Sequence, residues 1–325
     1  MLQSAWQQIR KSLQPEHQLQ GSAPFLPELR LDQLTLLQEH KNLLGLNLRS
    51  PTGSTLAGQH RSRQQGRGME LSEIRNYQPG DDIRLMDWKV TARTRRPHTK
   101  VFMEERERPV HLVVDLSASM LFGSDRSKAE QAANTAAILG WALSYQGDRC
   151  GGLVFNGHET RLIKPKARHK GLLPLLKSSC DLGQQITDKA SRAKPGRMNQ
   201  VLRQIAAQPG HGSLIVLISD FWSLDLEEAS ALSQLSRNHN LVAVQISDPL
   251  ERELPGGSCF LTDGKQDYYY DGTRSEEQER YRKEFDLHQA ALKQRVQKAR
   301  GHFISLSTQE KPADKLKQFF AKGSR

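Results

Sequence analysis

The stretch Leu214-Ile-Val-Leu-Ile-Ser219 carries no charge until it meets Asp220, and this run most constrains what the chain can fold into. Such a run is too short to span a bilayer and shows no period-2 alternation, so it reads as a strand buried on both faces. Strands of that kind belong to parallel sheets with helices on either side. His111-Leu-Val-Val114 is a second run of the same kind, and it ends in Asp115. Helical and strand-like patterns alternate around the two. A helix is expected over 127–145, a strand over 149–155 with 160–163 paired to it as a hairpin, and helices over 170–178, 198–207 and 226–237. Further strands are expected at 241–246 and 302–306, a β-hairpin within 253–272, and helices over 275–300 and 313–321. The expected fold class is therefore α/β, with a doubly wound, mostly parallel, Rossmann-type sheet.

Chemistry enters at the strand ends. Beyond Asp115 come Ser117 and Ser119 at alternate positions, in Asp115-Leu-Ser-Ala-Ser-Met120. In a doubly wound sheet the carboxyl ends of strands near the switch point share one crevice, so Asp115, Ser117, Ser119 and Asp220 can meet. Carboxylate and hydroxyl oxygens suit a hard divalent ion, Mg²⁺ or Mn²⁺, with water or an outside carboxylate completing the octahedron. The competing reading is that Ser117 and Ser119 only cap the helix that follows.

Composition bounds the rest. The chain has 325 residues and a formal charge of +11, compatible with nucleic acid, an anionic surface or an acidic protein partner. No basic stretch interleaved with aromatics accompanies that charge, which disfavours nucleic acid. Cys150, Cys180 and Cys259 form no CxxC pair, so neither a zinc site nor a disulfide framework is indicated. With no apolar stretch approaching the roughly 20 residues of a membrane span, a cytoplasmic protein is expected.

Three segments are expected: a helical and loop extension over 1–55, a charged region over 56–108 that packs on the core, and the α/β domain over 109–325. In the first, Trp6, Ile9 and Leu13 share a helical face, and Leu31, Leu34, Leu37 and the Leu43 to Leu48 stretch suggest a second apolar segment. A loop is expected from Pro51, with a Gln/Arg-rich run over 59–68. In the second, Gln78-Pro-Gly-Asp81 has proline and glycine where a type II turn needs them. Ile74, Tyr77, Ile83 and Met86 are expected to point inward there, and the surrounding charges are expected to pair with one another or with a partner.

Asp115-Leu-Ser-Ala-Ser-Met120 resembles the metal-ion-dependent adhesion site of von Willebrand factor A domains. The stretch 70–93, with Arg75, Tyr77, Pro79, Gly80, Asp81, Asp82, Arg84, Asp87, Trp88, Ala92 and Arg93, resembles the signature of the bacterial DUF58 family. Glu104-Glu105, Gly147-Asp-Arg149, Asp248-Pro-Leu-Glu251 and Leu254-Pro255 agree with it. The resemblance implies a von Willebrand factor A-like domain and a non-enzymatic interaction module. It implies a MoxR-type AAA+ ATPase as partner, a chaperone or assembly role toward a client protein, and a metal site that grips a partner's carboxylate. The interaction motif is then the set running from Arg75 to Arg93. In one respect the chain departs from the adhesion pattern: the region Lys194-Pro-Gly-Arg-Met-Asn-Gln-Val-Leu202 has no threonine. A cation at Arg197 is expected to compete there with a metal for Asp115 and Asp220, so the occupancy of the site is left open.

Two other functions fit the sequence less well. A metal-dependent phosphohydrolase could use Asp115 as nucleophile, but the aspartate that chemistry wants two residues on is Ser117. A basic nucleic-acid-binding protein is the other. No Walker loop is present, so any ATP hydrolysis belongs to the partner.

Overall fold

In the computed structural model, the described residues are 28–42, 69–104, 107–186, 196–208, 211–225, 230–253, 257–262, 267–271, 273 and 275–322. The Trp6 to Leu13 face, the Leu43 to Leu48 stretch, the 51–68 loop, Glu105 and Leu254-Pro255 lie outside them. The chain divides into two compact units, Met1–Pro51 with Arg108–Arg325, and Thr52–Glu107.

The larger unit holds a six-stranded sheet. Its strands are β3 (Pro109–Asp115), β4 (Arg149–Phe155), β5 (Thr160–Ala167), β6 (Leu214–Ser219), β7 (Asn240–Ser247) and β10 (His302–Ser307), in the spatial order β10-β7-β6-β3-β4-β5. All neighbours are parallel except β4 and β5, which form the expected hairpin. The order reverses on either side of β3, so the switch point falls between β3 and β6, where Asp115 and Asp220 end their strands.

One face of the sheet is covered by α3 (Lys128–Tyr145), α4 (His169–Gln184) and α9 (Pro312–Lys322). Val110, Leu112 and Val114 point there, toward Ala132, Ala136, Leu172, Leu176 and Leu316. Alanine-rich α3 lies close to the sheet because its facing side chains are small. Leu34 of a short helix, α1 (Leu31–Leu36), and Leu29 just before it join this core, and Trp141 Nε1 donates to the Leu34 carbonyl at 3.1 Å. The opposite face packs Val113, Ile215 and Leu217 against α5 (Arg197–Ala206), α6 (Ser230–Asn238) and α8 (Ser275–Lys298). A four-residue helix, α7 (Pro249–Arg252), follows β7, and a hairpin of β8 (Ser258–Thr262) with β9 (Asp267–Asp271) precedes α8.

His111 shares the second face with Val113. It is buried, and its Nδ1 finds no hydrogen-bond partner. Burial first, and then the neighbouring His239, pull its pKa from 6.5 down to about 4. The unfolded chain therefore takes up this proton before the native one does. Stability is expected to be full above the unfolded value and to fall by up to about 3 kcal/mol as pH drops from near neutrality to about 4. Urea titrations across that range should show His111→Leu with a flatter pH profile than the parent chain. Parallel profiles would mean that His111 does not carry the acid sensitivity.

In the smaller unit β1 (Met69–Asn76) pairs antiparallel with β2 (His98–Glu104), and a short helix, α2 (Trp88–Thr94), lies between them in sequence. The type II turn is formed: Asp81 N donates to the Gln78 carbonyl at 3.0 Å and Gly80 has a φ of +104°. The inward set is only half correct. Tyr77 and Met86 are partly buried, but Ile74 is 38% exposed and Ile83 61%. A unit this small cannot enclose every apolar side chain it carries.

Candidate metal centre at the strand ends

The backbone itself builds the first part of the crevice. Leu116 N donates to the Phe155 carbonyl at 2.8 Å, which pins the chain leaving β3 to the end of β4. Ser117 then turns back onto Asp115, its N–H at 2.9 Å and its Oγ at 2.5 Å from Oδ1. The other oxygen, Oδ2, accepts from Ser219 Oγ at 2.6 Å, joining the ends of β3 and β6. Ser119 Oγ is buried with no partner at all. The helix-capping reading fails, because Ser117 makes no side-chain cap bond; the cap of α3 is Ser127, whose Oγ accepts from Glu130 N at 3.1 Å.

Asp220 follows β6 directly and is succeeded by a strained turn. Phe221 takes a φ of +62°, a region bulky residues avoid, and its ring is fully buried on the second face of the sheet. Asp220 and Phe221 point to opposite sides, the one to Lys128 and the other into the core of the second face. Asp220 Oδ1 accepts from Trp222 N at 3.1 Å, while Oδ2 accepts from Lys128 Nζ at 2.8 Å. Trp222 in turn stacks on His288, with ring centroids 4.0 Å apart and planes 8° from parallel. Both His288 ring nitrogens are buried without a partner, and burial brings its pKa down to about 4.

The cation at this site is Lys128, not Arg197. Arg197 bonds the Asn156 carbonyl, Gln200 Oε1 and Thr160 Oγ1, so its guanidinium is committed beside β5. Lys128 is 1% exposed and also donates to Glu251 Oε1 at 2.5 Å. Burial works against its charge, but Asp220 and Glu251 outweigh that and raise its pKa above the ordinary lysine value. One ammonium cannot satisfy every carboxylate around it. Burial, and then the charge of Asp220, push Asp115 up to about 6, and burial followed by Asp220 also raises Glu251 despite its bond to Lys128.

Glu251 is held by a second layer. Its Oε2 accepts from Asp248 N at 3.0 Å, in a capping box that starts α7. Asp248 Oδ1 accepts from Leu250 N, and its Oδ2 accepts from Ser124 N, Ser124 Oγ and Thr308 Oγ1 at 2.5–2.9 Å. Lys128, Ser219, Glu251 and Thr308 are site residues to which the sequence assigned no role at the site. A signal was available for one of them, since Asp248-Pro-Leu-Glu251 has the spacing of a capping box.

The residues present fit a hard cation in part. Asp115, Ser117 and Ser119 offer oxygen only, Ser119 Oγ is unclaimed, and the crevice holds more carboxylate than ammonium. Among the described residues no three histidine, cysteine, aspartate or glutamate side chains are arranged to hold a metal, so an ion here would draw on at most the two carboxylates Asp115 and Asp220, with hydroxyls. Asp220, already bonded to Lys128, would have to share.

The charges of the smaller unit are largely used in building it. Arg75 Nη2 lies 2.8 Å from Asp81 Oδ1, Asp81 Oδ2 accepts from Gln78 N, and Asp82 Oδ1 accepts from Arg84 N. Asp87 caps α2 through Lys89 N and Val90 N, both at 3.0 Å, and lies 3.6 Å from Lys100 Nζ. Trp88 is left 65% exposed.

A doubly wound α/β unit with carboxylates and hydroxyls gathered where its central strands end defines the class of protein. The chain belongs to the DUF58 family, described as a protein of unknown function, whose profile matches residues 73–297. It is 31% identical over 224 residues to the uncharacterized protein Rv1480 of Mycobacterium tuberculosis, covering 68% of this chain and 69% of that one. The Mycobacterium bovis protein Mb1516 matches at the same identity and coverage. Among solved structures, a conserved hypothetical protein BatB from Bacteroides thetaiotaomicron aligns with a TM-score of 0.40. An aerotolerance-related membrane protein from Bacteroides fragilis aligns at 0.44. Both are 17% identical and cover 66% of this chain and 98% of theirs. Among the described residues no helix is long and apolar enough to cross a membrane.

Proposed function

We propose that this chain is a non-enzymatic protein-interaction module with a von Willebrand factor A-like domain, acting as an adaptor or assembly cofactor beside a MoxR-type AAA+ ATPase in the cytoplasm. In this reading Asp115, Ser117 and Ser119 hold Mg²⁺ or Mn²⁺, with Asp220 alongside, and the ion supplies a coordination position for a carboxylate of the partner. The chain's own residues orient the site. Ser219 and the Ser117 N–H fix the Asp115 carboxylate, and Lys128 fixes Asp220.

The observation that carries the reading is the buried Ser119 hydroxyl, left without a partner in the loop that leaves Asp115 at the switch point. The test is affinity capture from the native cell with the full chain as bait. Chelator, or Asp115→Ala, is expected to reduce recovery of the AAA+ partner about tenfold or more, as loss of a directly coordinated carboxylate would. Equal recovery in all three conditions would sink the metal bridge.

A further inference from the structure

Lys128 occupies a place that ordinary helix chemistry disfavours. It is the first residue of α3, where the helix N-terminus repels a cation, and lysine is among the side chains least often fully buried. Its ammonium is nevertheless enclosed between carboxylates that come from two other strand ends, Asp220 after β6 and Glu251 after β7. Such a group is kept only where the surrounding negative charge requires it.

We propose that Lys128 is the crevice's built-in counter-ion and that it sets how tightly the site takes a divalent cation. The ammonium gives the carboxylates one positive charge without any metal, so the strand ends stay assembled when no ion is bound. The same bond engages one oxygen of Asp220, and Trp222 N engages the other. A divalent ion entering beside Asp115 must therefore share Asp220 with a charge of its own sign. The inference rests on the reading of the oxygen set as a cation site, and it adds the residue that tunes it.

Replacing Lys128 with methionine keeps the apolar stem and removes the charge. Asp115, Asp220 and Glu251 would then face one another uncompensated, so Lys128→Met alone risks failing to fold. The paired variant Lys128→Met/Glu251→Gln removes one charge of each sign and keeps the shapes, leaving Asp220 Oδ2 open to an ion. Mn²⁺ binding to the full-length chain is read from the loss of the free-ion resonance in electron paramagnetic resonance. Thermal unfolding with Mn²⁺ or with chelator is followed in parallel.

The paired variant is expected to bind Mn²⁺ about tenfold or more tightly than the parent chain, because the charge removed from contact with Asp220 is a like one, whereas the Glu251 carboxylate lost with it bonds Lys128 and not Asp220. Its melting temperature should rise more on adding Mn²⁺ than that of the parent. Adding Asp115→Ala to the pair should abolish both effects, which assigns the ion to this crevice. Equal Mn²⁺ affinity in parent and paired variant would overturn the role of Lys128 while leaving the metal bridge standing. Binding by the paired variant alone would support the role of Lys128 and overturn a metal bridge in the parent chain. Mn²⁺ binding by neither would overturn both.

Discussion

Asp248→Ala is expected to cost on the order of 4 kcal/mol of stability, read as a lowered urea midpoint at neutral pH. Asp248 is 1% exposed and accepts four hydrogen bonds, from Ser124 N, Ser124 Oγ, Leu250 N and Thr308 Oγ1. Truncation strands all four donors at once, and they come from the loop before α3, the start of α7 and the end of β10. The carboxylate draws this strength from being charged: burial works to raise its pKa, and the bonds from Thr308, Ser124 and Leu250 more than offset that, leaving it below the ordinary value. For an acid whose folded pKa is depressed, the contribution is present above the unfolded value and is lost as pH falls through the folded one. The deficit of Asp248→Ala should therefore shrink in acid. Asp248→Asn should recover less than half of the loss, because its amide nitrogen would face a donor. A neutral-pH loss below about 1 kcal/mol would show that the network is not what holds these strand ends together.

The same network shows what the sequence made legible. Leu214 to Ser219 announces a buried strand because nothing but a two-sided sheet core accommodates it, and Asp115 and Asp220 follow from where such strands end. Local chemistry was readable too: the turn at Pro79-Gly80 and the alanine face of α3 depend on neighbours in sequence. The charge partners depend on tertiary closure. Lys128 meets Asp220 across 92 positions and Glu251 across 123, and no spacing rule connects them. Arg197 was the expected cation because it lies in the loop matched to the missing threonine, yet α5 directs it toward Asn156 and Thr160. Half of the inward set around the type II turn, Ile74 and Ile83, is exposed for a different reason. Ile74 and Ile83 alternate with charge as a strand face does, but alternation says which side a residue takes and not whether anything covers that side.

The pairing of lysine and carboxylates also bears on why the crevice tolerates strain. The Phe221 turn costs of order 1–3 kcal/mol, offset by a fully buried ring on one side and the bond of the preceding carboxylate to Lys128 on the other. Ser219 Oγ meanwhile accepts from Phe221 N at 2.8 Å while donating to Asp115, so one hydroxyl ties the strained turn to the neighbouring strand.

Gly152→Ala is expected to be more damaging still, with a fall in melting temperature of about 10 °C or more, or loss of soluble protein. Gly152 sits in β4 opposite Leu112, at a φ of +146° that a side chain rarely tolerates. A Cβ there would stand 2.0 Å from the Leu112 carbonyl oxygen and 2.5 Å from its nitrogen. Those atoms are backbone in the centre of the sheet and have nowhere to go. Gly212 is the control: its φ is +76° but a Cβ would meet nothing within 4 Å, so Gly212→Ala should cost only about 1 kcal/mol. The difference separates a glycine needed for its backbone angle from one needed for close approach. It also reaches the site, since β4 sets where Phe155 accepts from Leu116 N and so where the Ser117 to Ser119 loop begins. Any soluble Gly152→Ala protein should therefore bind Mn²⁺ more weakly than Gly212→Ala. Equal melting temperatures for the two would mean that β3 and β4 are not held as closely as their contact distance requires.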